Sequence, residues 1–327
     1  MGFFNGLIRV RPVKQFLLAI LTLALSRPVP VTAQDETRYS EDPLLLGAGA
    51  RPLGMGSAFV AVSDDATAIY WNPAGLERLR RRELQIQHAE QFGGTVNHDV
   101  FTLCGPSPLG GFGVGLTRLG VDGVKITTLE NPTFAPGPDN RPVVSRVAGT
   151  TEYHLHLAFG RRLRSNLSAG AGVKLVSRNL DAGKGSGFGI DFGMLFIPRQ
   201  GLTTGLMVRN LIPLKITFDS GSSDRVPPVL VFGLALTRPV ETADGVVTCS
   251  GSFSVGEEKS AADNFQGARV GIEYLYRNKL ALRLGARGNH FTAGAGVRLG
   301  RRVAFDLAFL EHGELDNTYR ISGSVYF

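Results

Sequence analysis

Histidines are the residues whose type most readily invites chemistry, and six are present: His88, His98, His154, His156, His290 and His312. Only His154 and His156 stand two apart, the spacing that puts two side chains on one face of a strand. Two imidazoles could share a metal ion, but a protein zinc site needs at least a third ligand, and none stands nearby in sequence. Both are read instead as polar residues facing the interior. Cys104 and Cys249 are the only cysteines, and neither belongs to a CxxC pair. They read as two small apolar side chains in strands, with a disulfide between them left open. A phosphate-cradling loop would need Lys after its second glycine, but Gly49 and Gly54 are followed by Met55. The dinucleotide pattern fails as well, because no βαβ unit surrounds these glycines. No Ser–His–acid set stands apart. Asp191 and Asp306 lie among small residues and could pair with arginines such as Arg283 or Arg298, or serve as polar contacts for a solute. Catalytic, metal and cofactor chemistry therefore find no support, and the chain is read as not an enzyme.

The elements that carry these residues begin with a leader. Arg9, Arg11 and Lys14 supply a positive end, Phe16–Leu25 an apolar run, and Val31-Thr32-Ala33 the small or β-branched residues before a cleavage point. Residues 1–33 thus read as a secretory signal peptide. The apolar run is shorter than the about 20 residues that a spanning helix needs. The whole chain carries a formal charge of +7. Without Arg9, Arg11, Lys14 and Arg27 it has 31 basic residues against 28 acidic, so much of the basic excess belongs to the leader. No basic patch interleaved with aromatics is present, which argues against nucleic acid.

Beyond the leader the dominant rhythm has a period of two. Leu280, Leu282, Leu284 and Ala286 alternate with Ala281, Arg283, Gly285 and Arg287. Phe188, Ile190, Phe192, Met194 and Phe196 alternate with Gly187, Gly189, Asp191, Gly193 and Leu195. Similar ladders run through Tyr153–Gly160, Leu167–Leu175, Val247–Val255, Phe291–Leu299, Val303–Phe309 and Tyr319–Phe327. Period-two alternation marks strands. A soluble sandwich would place Lys, Glu and Thr on its second face, whereas here that face is mostly Gly, Ala and Ser with scattered Arg and Asp. Small residues suit a crowded barrel interior, and Leu, Phe and Val suit lipid outside. Tyr153, Tyr274, Tyr276 and Tyr319 fall near strand ends, where interfacial aromatics are expected. Short turns at Arg199–Gly201, Arg277-Asn278, Arg287–Asn289 and Gly300-Arg301 contrast with longer loops at Asn131–Pro142 and Asp219–Pro228. The expected fold is all-β, a transmembrane antiparallel β-barrel of about 14 strands over residues 83–327. Alternation is weakest over Leu84–Leu119.

Residues 34–82 do not alternate. They contain GARPLGMGSAFVAVSDDATAIYWNPAGLERL, from Gly49 to Leu79. Gly54 and Gly56 permit tight backbone paths, Asp64 or Asp65 could cap a short helix, and Asn72-Pro73 reads as a turn. This stretch closely resembles the opening of the PorV/PorQ branch of the FadL-like outer-membrane barrels, with Ser57 and Ser63 where Gly and Ala are common. The resemblance continues at GFGIDFGMLF (Gly187–Phe196), at GLMVRNL (Gly205–Leu211) and from Gly271 to Phe327. It implies that Gly54, Met55, Gly56, Tyr70, Trp71, Asn72, Pro73 and Ala74 belong to a hatch or plug inside the lumen. A capping turn packed beneath the barrel is the alternative. Tyr326 and the terminal Phe327 resemble the signal read by the barrel assembly machinery.

Location in the cell outer membrane, in contact with its lipid, follows from the leader and barrel together. Three roles then stand open. The resemblance to PorV implies an accessory of type IX-like secretion, working with secretion-system components and exported proteins. The resemblance to FadL implies a channel for hydrophobic small molecules such as long-chain fatty acids. A closed structural barrel is the third. No cofactor is implied by any of them.

Overall fold

In the computed structural model the described residues are 46–91, 94–180, 183–256, 267–312 and 317–327. The signal-peptide reading of 1–33, and residues 34–45 of the expected plug, lie outside them.

Strands alternate because their residues do. In β1 (Glu83–Gln91), Glu83, Gln85, Gln87, Ala89 and Gln91 turn inward and are buried, while His88 and Glu90 are exposed. The same parity carries apolar side chains outward around the wall: Leu282 is 65% exposed, Phe188 59% and Ile321 59%. Inward residues such as Arg320, Lys174 and His154 are each 1% exposed. A soluble fold would reverse this. An inverted distribution on a closed sheet pairs strand with strand around the ring while presenting hydrocarbon outside.

The wall closes through β2 (Val96–Ser107), β3 (Gly110–Leu129), β4 (Pro142–Arg164), β5 (Leu167–Leu180), β6 (Gly183–Arg199), β7 (Leu202–Arg209), β8 (Leu214–Phe218), β9 (Ser223–Val226), β10 (Val229–Val240), β11 (Gly245–Val255), β12 (Ala268–Tyr276), β13 (Leu280–Arg287), β14 (His290–Leu299), β15 (Val303–Leu310) and β16 (Thr318–Tyr326). The antiparallel pairing of β1 with β16, from Glu83↔Tyr326 to His88↔Ile321, completes the ring. It is a 14-strand barrel with two extra strands. Tight turns join β2–β3, β4–β5, β6–β7, β12–β13 and β14–β15 at the end where Phe327 lies, whereas the longer β3–β4 connection lies at the opposite end, where, against expectation, the short turn at Gly288-Asn289 also lies. The first three strands pair in unbroken register despite their weak sequence pattern.

Three expectations need correction. The stretch Asp219–Pro228 is not wholly loop, because it contains β9, paired to β8 from Leu214↔Val226 to Thr217↔Ser223. Tyr153 lies in the middle of β4, not near its end, although it stands just past Thr151, where β5 begins to pair. Above that level β3 and β4 run on as a two-stranded ribbon, paired from Val124↔Ala148 to Leu129↔Pro142. Gly and Ala line the inner wall chiefly because a separate segment presses on it, not because opposite walls compete.

Candidate functional site

That segment is the non-alternating stretch before β1. It lies within the ring and is almost wholly buried from Gly47 to Leu76. Helix α1 (Ala50–Gly54) opens it behind Gly49, whose φ of +84° favours glycine. Its first amide groups have no intrahelical partner. Barrel side chains supply them: Gly49 N donates to Gln87 Oε1 at 2.6 Å and Ala50 N to Ser322 Oγ at 3.2 Å. Gly56 N donates to Thr292 Oγ1 at 2.9 Å.

Glycine content now has a cause. A Cβ on Gly271 would fall on the Met55 carbonyl, one on Gly285 on the Gly56 amide, and one on Gly294 against the Gly54 Cα. On the other side, Gly160 and Gly170 touch the backbone of Pro73 and Ala74, and Gly193 touches the Asn72 side chain. Backbone meets backbone at both contacts, which no other residue permits.

The Tyr70–Ala74 stretch is pinned by hydrogen bonds. Short helix α2 (Ala68–Trp71) presents Trp71, whose Nε1 donates to the Ala48 carbonyl at 2.8 Å. Phe59 and Tyr70 meet the Trp71 ring edge-on at 6.3 Å and 4.9 Å. Asn72 then does three things. Its Oδ1 accepts from Ala74 N at 3.1 Å and so starts the 3₁₀ helix Pro73–Arg78. Its Nδ2 donates to the Val60 carbonyl at 2.9 Å, and to the Met194 carbonyl of β6 at 3.1 Å. One side chain thus ties two parts of the segment to the wall. Asp65 does not cap α2 directly, but accepts from Thr67 N at 2.9 Å just before the helix.

A charged chain joins the segment to the wall. Arg51 forks onto Glu273 at 2.9 Å and 2.8 Å, and reaches Asp64 at 2.6 Å and Asp65 at 2.9 Å. Glu273 also accepts from Arg283 at 2.7 Å, and Arg283 pairs with Asp306 at 2.7 Å. Burial pushes the Asp65 carboxyl above its ordinary range, against the pull of Arg51. The expected pairing of Asp306 with Arg283 is present. Asp191 instead pairs with Lys174 at 2.9 Å, and Arg298 bonds the side chain of Asn278, because those are the neighbours that the ring's register supplies. Arg51, Glu273 and Lys174 escaped the sequence reading. A lone Arg in a segment that must be buried was the available signal, since a buried cation requires carboxylates.

Of the remaining residues, His154 accepts no metal cluster: among the described residues no group of three potential ligands forms. It lies 2.7 Å from Glu152, which Arg178 grips at 2.8 Å. Cys104 faces inward and Cys249 outward, both as free thiols. Tyr326 lies beneath the Arg81 guanidinium at 4.8 Å, and Phe327 points outward, 60% exposed.

The wall has one irregular place. β7 pairs β6 up to Phe192↔Val208, and β8 resumes on the same edge at Phe188↔Lys215. On their other side β10 pairs β7 up to Arg209↔Val229, and β9 resumes at Leu214↔Val226. Between them Asn210–Pro213 stand opposite Pro227-Pro228 outside the paired ladders, with Leu211 N keeping one bond to the Ile190 carbonyl of β6 at 2.7 Å. Three of these residues are prolines without an N–H, so the ladder stops without orphaning their amides. Leu211 and Ile212 point outward, 52% and 54% exposed. Asn210, with φ +50°, points inward, where its N donates to Asp191 Oδ1 at 2.8 Å and its Oδ1 accepts from Lys174 Nζ at 2.6 Å.

This architecture is that of the FadL-like outer-membrane barrels. The toluene transporter TbuX of Ralstonia pickettii superposes with a TM-score of 0.59 at 14% identity, over 86% of this chain and 98% of that one. The Pseudomonas putida toluene transporter TodX gives 0.53 at 15% identity, over 86% and 97%. A Pseudomonas aeruginosa FadL homologue gives 0.52 at 10%, over 85% and 98%. No family model matches the chain, and no curated relative matches it in sequence.

Proposed function

We propose that this chain is an outer-membrane conduit for small apolar molecules, kept shut by its N-terminal segment acting as a hatch. The observation that carries this reading is the placement of Gly47–Leu76 inside a ring whose fold is shared with toluene transporters. The interrupted ladder at Asn210–Pro213 and Pro227-Pro228 supplies a second element. It is the part of the wall where passage sideways into the bilayer would break the fewest backbone hydrogen bonds. The short-turn end, with Phe327, would face the periplasm and the long connections the outside. Planar-bilayer recording tests the hatch. Removal of residues 49–75 is expected to raise single-channel conductance well above the intact protein's. Unchanged conductance would sink the hatch. Toluene uptake by cells with and without the gene tests the solute class, and equal uptake would remove it.

A second reading is favoured by one observation, the near-unbroken PorV/PorQ-like run from Gly49 to Leu76. It is an accessory role in protein secretion. Co-purification of the mature chain with exported proteins from native outer membrane would support it, and lipid alone would count against it.

A further inference from the structure

The end of the barrel that carries the tight turns holds a cavity of about 560 Å³, lined by the 3₁₀ helix and by the ends of β1 and β12–β16. Its carboxylates are already engaged. Asp64 and Asp65 bind Arg51, Asp306 binds Arg283, and Glu77 binds Arg162 at 3.0 Å. Glu83 accepts from Ala66 N at 3.0 Å. Its cations are in surplus. Arg78, Arg80, Arg81, Lys279, Arg298 and Arg301 line it, and none of them pairs with a carboxylate among the described residues. Several are held in place. Arg78 donates to the Val62 carbonyl at 2.6 Å, and Arg81 donates to the Arg301 carbonyl while covering Tyr326.

Strand parity decides what can reach them. Arg298 follows Gly294 and Gly296 on the inner face of β14, opposite the outward Leu299. Bilayer headgroups surround the outside of the ring, so they cannot fill the inside of its mouth. The cationic rim also continues onto other turns at this end through Arg164, Arg199 and Arg302, a footprint broader than a small anion needs. We propose that this vestibule docks an acidic polypeptide segment of a soluble partner approaching from the turn side. The segment would seat at the rim, because the engaged carboxylates deeper in the cavity repel it. The inference is independent of which solute, if any, crosses the barrel.

The test uses the mature protein in nanodiscs of phosphatidylcholine, and a fluorescent glutamate decapeptide read by anisotropy. Wild type is expected to bind, more weakly as salt rises. The combined change Arg80→Gln, Arg81→Gln and Arg301→Gln is expected to weaken binding about tenfold or more, about 1.4 kcal/mol. Lys at the same positions should keep most of it. A control removing equal charge from exposed residues at the opposite end, Lys125→Gln, Arg141→Gln and Lys215→Gln, should bind as wild type. Equal losses in both triple variants would reduce the effect to net charge and overturn the site. So would absence of wild-type binding at low salt. So would a loss, in the Arg80/Arg81/Arg301 variant, of co-purified anionic phospholipid with peptide binding intact, which would assign the cations to lipid. Heat-modified migration on gels checks that each variant keeps its barrel.

Discussion

Arg51 is the residue on which the inner segment's charge balance turns. It reaches the buried Glu273 and Asp65 and the exposed Asp64 within one network. Arg51→Met would leave Glu273 with Arg283 as its remaining cation. Breaking a buried pair from one side typically costs about 3–5 kcal/mol. Unfolding by denaturant in detergent should show a loss of that order, and the double change with Glu273→Met should recover part of it. No loss in the single variant would mean that solvent reaches the network. Glycines give a second test. Gly271→Ala or Gly285→Ala would drive a methyl into the backbone of Met55 or Gly56, whereas Gly251→Ala meets nothing nearer than 3.8 Å. The first two should lower the temperature at which the folded gel band disappears, and the third should not. These partners were only half legible in the sequence. The inward parity of Arg283 and Asp306 followed from alternation within each strand. The partnership of Arg51 with Glu273, 222 residues away, depends on where the closed ring puts the segment, and no local pattern carries that.

At the scale of elements, alternation was legible because lipid and a packed interior impose opposite demands on successive residues. β13 through β16 could be read directly. β8 and β9 could not, because four or five residues flanked by prolines have too few repeats to show a period, and Asp219–Pro228 reads as a loop. Those prolines are what separates β7 from β8 and β9 from β10. Changing Pro227 to Val and Pro228 to Thr offers the donors that the ladder lacks. Hydrogen exchange should then slow at Ile212, and passage of toluene through reconstituted protein should fall. Slowed exchange with undiminished passage would dismiss this stretch as a route.

For the molecule as a whole, the central demand is that the hatch moves if anything is to pass. Lumen and segment are joined along both sides, at Gly54–Gly56 against β12–β14 and at Asn72–Ala74 against β4–β6, so partial fraying of one contact leaves the other intact. Displacement must therefore be collective, and a single covalent tie should suppress it. The protein already contains half of such a tie. Cys104 Sγ, inward on β2, lies 3.3 Å from the Ala66 carbonyl of the inner segment. Ala66→Cys, with outward Cys249 changed to Ser, puts a second thiol on the residue that Cys104 already contacts. Under reducing conditions the variant should conduct toluene as the Cys249→Ser parent does. Oxidation should close it, with bridge formation confirmed by mass spectrometry, and reductant should reopen it. Equal passage through the bridged and reduced forms would show that solutes bypass a stationary segment. The wall break, approached from outside the ring, would then be left as the path to examine.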